Sequence, residues 1–375
     1  VGRGAGRLVV GLDARLYPGN HTGIGVYTRG LVDGLAALPE DLELVLYTHR
    51  PFPPPTASSR VVALPCRTRA VWTQFVLPPA LPGRGLSLFH ATANHEAPLA
   101  ATLPLVVTVH DLIPLSHPEA VSPRHRLFFG TLIGPALRRA RRIIAVSRWV
   151  RRTLLERFDL PEEKVQVVAE GWDPLFAAPV STGRVEELRR RWGIRGRVVL
   201  YVGSFEPRKN IPTLLRAFGA ARRAAGEDWR LVLGGGGGWG EERTKEAVAR
   251  CGAEAGIVLT GFVPPEDLPA LYRMADLFVL PSLEEGFGLP VVEAMAAGVP
   301  VLVSSPSALE ELPGPAGSSF SLHDPDDLAR QLTRYLTDES FRREKAAQAA
   351  VRARSFSWER TARETLAVYR DALGA

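Results

Sequence analysis

The chain has 375 residues, 46% of them hydrophobic and 23% charged, which is enough apolar material for two cores of ordinary size and excludes a disordered or fibrous protein. Its net charge of +6 suits an anionic partner, whether nucleic acid, a membrane surface or a phosphorylated substrate, without choosing among them. Two cysteines, Cys66 and Cys251, make neither a disulfide framework nor a thiolate zinc site.

The first residues, 1–7, lack the apolar core of a secretory signal. An apolar run at 8–13, a loop and a helical pattern at 24–38 open the chain as a βα unit. Further strands are expected at 42–47, 60–64, 86–90, 105–110 and 142–146, several of them continuous apolar runs of the kind a doubly covered parallel sheet requires. Between Arg124 and Arg157 the arginines Arg138, Arg139, Arg141 and Arg142 accompany Leu127, Phe128, Phe129, Leu132 and Ile133. That pattern suits peripheral contact with anionic lipid, and a solvated helix face explains it equally well.

Gly171-Trp172-Asp173-Pro174 and the Pro, Ser, Thr and Gly residues of 177–183 break the periodicity, which places a domain boundary near residue 178. A second βα series follows, with strands expected at 198–203, 230–234, 257–260, 277–280 and 299–304. A helical series covers 326–352 and a last helix 358–373. The longest apolar stretch, 291–303, is broken by Glu293, Gly298 and Pro300, so no membrane span is expected and a cytoplasmic location follows, with peripheral attachment at the inner membrane face as the variant. The expected domains are 1–178, 179–355 and a terminal helix, 356–375, packing back toward the first domain.

The strongest chemical pattern runs from Pro281 to Met295, between an apolar strand and a short helix that starts at Pro290 and stops at Gly298 and Pro300. The backbone N–H groups of Gly288 to Val292 have no partners inside such a helix, and its positive end favours a phosphate. Gly286 and Gly288 permit close approach. Glu285 in the loop and Glu293 one turn into the helix can then receive hydroxyls on either side of the anchored diphosphate, one from a hexose and one from a ribose. The plainer alternative is a solvated loop acid and an acid that complements the helix end. The second pattern, Gly203-Ser204-Phe205-Glu206-Pro207-Arg208-Lys209-Asn210, follows the first strand of the second series. Asn210 can cap the next helix, and Arg208 and Lys209 project from a strand's carboxyl end, where open α/β sheets bind ligands. Only four of the 46 basic residues are lysines, which makes Lys209 informative as a point charge beside the forked guanidinium of Arg208.

Weaker signals surround these. Gly23 and Gly25 flank the first helix start and could admit a phosphate or an acceptor. Gly-Ile-Gly is not a dinucleotide fingerprint, and the run 234–238 lacks the ordered spacing and the ribose-binding acid of one. His110 ends an apolar run and has the address of a site residue, although a lone histidine is more often structural. Asp324-Pro325-Asp326 has the look of an acidic metal motif, but it opens a helical pattern, so capping and dipole complementation explain the acids and no metal is expected.

Taken together, Glu285-Gly286-Phe287-Gly288-Leu289-Pro290-Val291-Val292-Glu293, Glu206-Pro207-Arg208-Lys209-Asn210, Leu259-Thr260-Gly261-Phe262-Val263, Gly23-Ile24-Gly25 and Val109-His110-Asp111-Leu112 resemble the retaining glycosyltransferases of family four over nearly the whole chain. The resemblance implies the GT-B fold, an α/β architecture of two Rossmann-like domains facing across an interdomain cleft. It implies that Arg208 and Lys209 bind the diphosphate of a nucleoside-diphosphate sugar, Glu285 the hexose and Glu293 the ribose. Backbone groups near Phe262 and Val263 would meet the nucleobase, and His110 would line the donor sugar. The donor is a substrate, with no cofactor and no metal. Similarity to bacterial mannosyltransferase-like members favours GDP-mannose over UDP-glucose or UDP-N-acetylglucosamine, with a saccharide, lipid-linked or small-molecule acceptor. The competing readings are a non-catalytic nucleotide-sugar-binding protein and an NAD-dependent oxidoreductase. Nucleic-acid binding ranks last, because no zinc-finger spacing or RNA-recognition aromatic motif accompanies the arginines.

Overall fold

The computed structural model describes residues 7–17, 19, 21–226, 228–237, 240–252, 255–314 and 317–374. Most of the stretch 1–7, and Gly238 of the glycine run 234–238, therefore lie outside the described residues. The chain folds as two compact units, Val1–Gly171 with Ser357–Ala375, and Trp172–Phe356. Among the described residues no helix is long and apolar enough to cross a membrane.

The first unit is built on a seven-stranded parallel sheet of β1 (Leu8–Asp13), β2 (Leu42–Thr48), β3 (Ser59–Ala63), β4 (Leu88–Ala91), β5 (Leu105–Val109), β6 (Arg142–Ala145) and β7 (Val165–Val167), in the order β3-β2-β1-β4-β5-β6-β7. Its central strands are buried along their length, β5 at every position, because helices cover both faces of a parallel sheet. Thr22 caps the helix Gly23–Ala36 by accepting from the Gly25 N–H at 3.4 Å. Tyr27, Leu31 and Leu35 of that helix share a core with Ala362, Leu366 and Tyr369 of the last helix, Trp358–Leu373. Each such large side chain removed from water contributes roughly 1.5–3 kcal/mol. The two helices come together closely at Gly30, where a Cβ would lie 2.2 Å from the Trp358 ring. Arg142 and Gln166 also hold the Asp371 carboxylate, at 2.5 and 2.6 Å.

The second unit carries a six-stranded parallel sheet of β8 (Arg197–Val202), β9 (Trp229–Gly234), β10 (Ile257–Gly261), β11 (Leu277–Leu280), β12 (Val301–Ser305) and β13 (Ser318–Ser321), in the order β10-β9-β8-β11-β12-β13. In both sheets the winding direction reverses once, between β1 and β4 and between β8 and β11. At such a point the loops leaving the carboxyl ends of adjacent strands diverge and open a crevice for ligands.

Two sequence expectations are corrected, the domain division and the Asn210 cap, and a third, the helical series, is resolved into its members. The division falls at Trp172 rather than near 178, because Phe176 packs edge-on to Tyr272 at 5.5 Å and Arg273 donates to the Ala177 carbonyl at 3.0 Å, which ties the connector to the second unit. The helical series 326–352 is two helices, Asp327–Thr337 and Glu339–Ala353, broken at Asp338, whose carboxylate accepts from the Phe341 N–H at 2.8 Å and so starts the second. Asn210 stands at the start of the helix Ile211–Ala225 but makes no side-chain cap; it is left-handed, with φ 55°, and turns the chain out of the short helical turn Pro207–Lys209.

Candidate active site

In the second unit, the loop after β8 and the loop after β11 leave neighbouring strands at the reversal point and meet. The Leu283 N–H donates to the Arg208 carbonyl at 2.7 Å, which joins the two backbones. Across that junction Lys209 Nζ lies 2.5 Å from Glu285 Oε1, and Arg208 Nη1 lies 2.9 Å from Oε2. The Ser282 hydroxyl donates to Oε1 at 2.7 Å. Arg208 Nε is held by Glu206 at 2.8 Å, and Glu206 in turn accepts from Ser204 at 2.8 Å. Lys209 and Glu285 are each only 9% exposed, so each charge needs the other.

Burial alone raises the pKa of the Glu285 carboxyl, but Arg208 and Lys209, with the bonds from Lys209 and Ser282, outweigh it and hold the value at about 2. Burial pulls the Lys209 ammonium below its ordinary range against the opposing pull of Glu285. Two cations and two acids thus form a neutral, preorganised quartet. Glu285 Oε1 already accepts twice and Oε2 once, so the carboxylate has capacity for one further hydroxyl, whereas the Lys209 ammonium keeps two of its three N–H donors for a ligand.

The helix after β11, Leu289–Ala296, begins at Gly288, whose φ is 108° and whose missing Cβ would lie 2.4 Å from Leu309 Cδ2. Only glycine fits there. The expected row of free amides from Gly288 to Val292 is shortened: the Val291 N–H is taken by the Gly288 carbonyl at 2.9 Å, and Pro290 has no N–H. Among the described residues the amides of Gly286, Phe287, Gly288 and Leu289 make no hydrogen bond. Phe287, Leu289 and Val291 are buried, Phe287 against Phe356, so their side chains serve the core and any ligand contact there is with backbone.

Glu293 is half-buried and accepts from the Tyr272 hydroxyl at 2.7 Å. Burial, with a smaller contribution from Asp173 and against the Tyr272 bond, pushes its pKa up to about 7. Phe262 is 71% exposed just beyond β10, while Val263 beside it is buried. The sequence offered no signal for Tyr272, which acts across 21 residues, and singled out neither Ser282 nor Glu206 as an anchor.

Gly23, Gly25 and His110 belong to the first unit. Gly23 is exposed, and a Cβ there would meet nothing within 4 Å. Gly25 is buried in the first turn. His110 is 7% exposed, with Nδ1 3.0 Å from Glu170 and Nε2 2.9 Å from the Thr92 carbonyl, while its backbone N–H donates to Asn94 at 2.6 Å. A carbonyl can only accept, so Nε2 carries a proton, and a second proton is shared with the Glu170 carboxylate. Burial lowers the His110 pKa, but Glu170 outweighs it and the net direction is up. Both ring nitrogens are thereby committed to partners within the first unit. Glu170 was not singled out in the sequence.

Among the described residues no group of three or more His, Cys, Asp or Glu side chains could hold a metal ion. The Asp324 carboxylate pairs with Arg330 at 2.6 Å and accepts from the Asp326 N–H at 3.0 Å, and Asp326 itself makes no side-chain cap.

Residues 21–176 match the family described as Glycosyltransferase Family 4, and residues 185–355 the family described as Glycosyl transferases group 1. The chain is 34% identical over 269 residues to an O-antigen chain mannosyltransferase B of Escherichia coli, covering 71% of this chain and 70% of that protein. It is 32% identical over 265 residues to a serotype-specific mannosyltransferase WbdA of Escherichia coli, covering 68% of this chain and 32% of that protein. With a D-inositol 3-phosphate glycosyltransferase of Salinispora tropica the identity is 34% over 287 residues, 72% of this chain and 60% of that protein. Among solved structures, a sucrose-phosphate synthase from Thermosynechococcus elongatus superposes with a TM-score of 0.78 at 22% identity, covering 98% of this chain and 99% of that one, a likeness of fold. The chain therefore belongs to glycosyltransferase family 4 and has that family's pair of Rossmann-like domains, the GT-B fold.

Proposed function

We propose that the protein transfers a hexose, mannose from GDP-mannose in first place, from a nucleoside diphosphate to a saccharide or lipid-linked acceptor with retention at the anomeric carbon and without a metal ion. The observation that carries this reading is the buried quartet at the reversal of the second sheet, where Lys209 and Arg208 are held on Glu285 at 2.5 and 2.9 Å. In this reading the two remaining N–H donors of Lys209 and the positive charge of Arg208, with the loop amides at 286–289, bind the diphosphate. The acceptor hydroxyl attacks the anomeric carbon on the face from which the diphosphate departs. The bond from that carbon to the phosphate oxygen breaks, and the hydroxyl proton passes to the departing oxygen. The cations stabilise the charge that grows on the leaving group, which is where a preorganised site accelerates a reaction most.

Glu285 uses its one remaining acceptor position on a hexose hydroxyl, and Glu293 takes the ribose hydroxyls. Phe262 and Val263 meet the base, and His110, fixed by Glu170 at 3.0 Å, lines the donor sugar. Gly23 and Gly25 leave room for the reacting groups at the first helix start. The mannosyltransferase relatives support mannose as the sugar, and the arginines of 124–157 support contact with an anionic membrane face. Incubation with radiolabelled GDP-mannose, UDP-glucose and UDP-N-acetylglucosamine in excess chelator tests the reading. Release of labelled mannose from GDP-mannose, abolished by Lys209→Ala, is the expected result; release from none of the three donors overturns it.

A further inference from the structure

Glu285 is held by two cations, whereas Glu293 is held by a phenol. Tyr272 lies in the helix Leu268–Arg273, which precedes β11, and Glu293 in the helix Leu289–Ala296, which follows it. The Tyr272 hydroxyl donates to Glu293 Oε2 at 2.7 Å and so joins the two helices that flank the strand. The ring is fully buried, edge-on to Phe176 at 5.5 Å and tilted against Phe278 at 5.7 Å. A ring held by two others fixes where its hydroxyl stands. Burial, reinforced by Glu293, pushes the phenol well above its ordinary range, so it stays a donor at neutral pH.

Among the described residues Glu293 Oε1 makes no hydrogen bond. An ionised carboxylate offers about four acceptor positions, and Tyr272 takes one on Oε2, which leaves both oxygens able to receive a neighbouring pair of hydroxyls. Two groups with charge or a titratable proton act on Glu293: Tyr272, whose bond favours the ionised form, and Asp173 of the connector, which opposes it. β11 and β12 pack against the same helix and carry no titratable residue. The helix Glu339–Ala353 packs there too; its Arg352 is taken by the Leu312 and Glu311 carbonyls at 3.0 and 3.1 Å, and none of its charges acts appreciably on Glu293.

We propose that Tyr272 is a positioning residue for the donor nucleotide, its hydroxyl holding the Glu293 carboxylate where both ribose hydroxyls can reach it. The proposal rests on the reading that Glu293 binds the ribose. Tyr272 itself acts only through Glu293. Tyr272→Phe keeps the ring and its packing and removes the bond alone, so the carboxyl keeps its proton to higher pH. The part of the loss that comes from charge is recovered in alkali; the part that comes from orientation is not.

The test is calorimetric titration of the full chain in excess chelator, from about pH 5.5 to 9, with GDP and with 2′,3′-dideoxy-GDP, which lacks the ribose hydroxyls. UDP and its dideoxy form are run in parallel, so that the choice of base does not decide the outcome. The unaltered protein is expected to prefer the ribose form increasingly as pH rises through neutrality, and Glu293→Gln to lose that preference. Tyr272→Phe is expected to weaken binding of the ribose form about tenfold at neutral pH, to leave the dideoxy form unaffected and to raise the midpoint of the pH profile by about one pH unit. In hydrolysis of the sugar nucleotide its KM rises by a similar factor while kcat stays within about twofold. Tyr335→Phe removes another buried hydroxyl of the same unit, bonded instead to Ser318 at 2.9 Å, and is expected to change none of these readouts. Equal binding of ribose and dideoxy forms by the unaltered protein, or a full preference kept in Glu293→Gln, overturns the ribose reading and this proposal with it. An unaltered preference and midpoint in Tyr272→Phe, or the same change in Tyr335→Phe, overturns the proposal alone and leaves the ribose reading standing.

Discussion

At the reversal between β8 and β11, Arg208 and Lys209 face Glu285 and Glu206 in a quartet whose charges cancel; at the reversal between β1 and β4, Arg15 satisfies Asp13 and Glu96 and leaves Arg67, Arg69 and Arg124 over a cavity. The strand order around the two points is the same. Topology therefore supplies a place for a ligand twice, and the loop side chains decide what each place can hold. In the second unit acids hold the cations in readiness, which suits a leaving group whose charge grows during the reaction. In the first unit the arginines lining the cavity outnumber the acids among the described residues, so its charge stays positive.

The comparison breaks first at Lys209. Lys209→Ala is expected to lower the kcat/KM for transfer by about a thousandfold with the fold retained, in proportion to the loss of a donor aimed at developing charge. Glu285→Ala is expected to lower it similarly and also to cost about 3 kcal/mol of stability in urea unfolding, since Lys209 would be left buried and unpaired while Arg208 kept Glu206. Near-normal turnover in both variants removes the quartet from the mechanism.

The backbone of the two sites separates at a pair of glycines. Gly288→Ala, with φ at 108° and Leu309 2.4 Å from the added carbon, is expected to destabilise by about 1–3 kcal/mol. Gly23→Ala, which meets open space at a helix start, is expected to change stability by less than about 0.5 kcal/mol. Equal unfolding midpoints for the two variants contradict the reading of Gly288 as a position only glycine can fill.

Titration sharpens the contrast further. Because the Glu293 carboxyl is pushed up to about 7, it is mostly protonated below that pH and mostly ionised above it. If the ionised form takes the ribose hydroxyls, donor affinity rises by up to about tenfold between pH 6 and 8, and Glu293→Gln flattens the curve. An unaltered pH profile in Glu293→Gln places the ribose elsewhere. The smallest effect belongs to His110. Its pKa is raised by Glu170, so the stability it contributes is complete below the ordinary histidine range and is lost as pH rises through the raised value. Glu170→Gln is expected to return the His110 titration, followed by NMR, to a lower pH and to remove at most about 1 kcal/mol below pH 6; an unmoved titration shows that Glu170 does not hold the proton.

Much of this was readable in the residues. β11 was placed at its observed limits and β5 within one residue, because continuous apolar runs are what a covered parallel strand needs. β7 and β13 escaped, since Val-Gln-Val and Ser-Ser-Phe-Ser sit at sheet edges and carry no such run. Arg208, Lys209 and Glu285 were legible as loop residues at strand ends, but their direct pairing across 76 residues of sequence was not, because it depends on β8 and β11 being neighbours. Tyr272 and Glu170 were invisible for the same reason: each meets its partner only through the fold. The shortened row of amides at the helix start was hidden in the left-handed turn at Gly288, which the sequence permits but does not dictate.

The most direct test of the central claim is calorimetric titration of GDP into the protein in excess chelator, compared with GMP and repeated with Lys209→Ala. The account predicts that GDP binds without metal, that GMP binds much more weakly, and that Lys209→Ala lowers GDP affinity by at least about tenfold while thermal unfolding remains cooperative. Equal GDP affinity in the folded Lys209→Ala variant would contradict it.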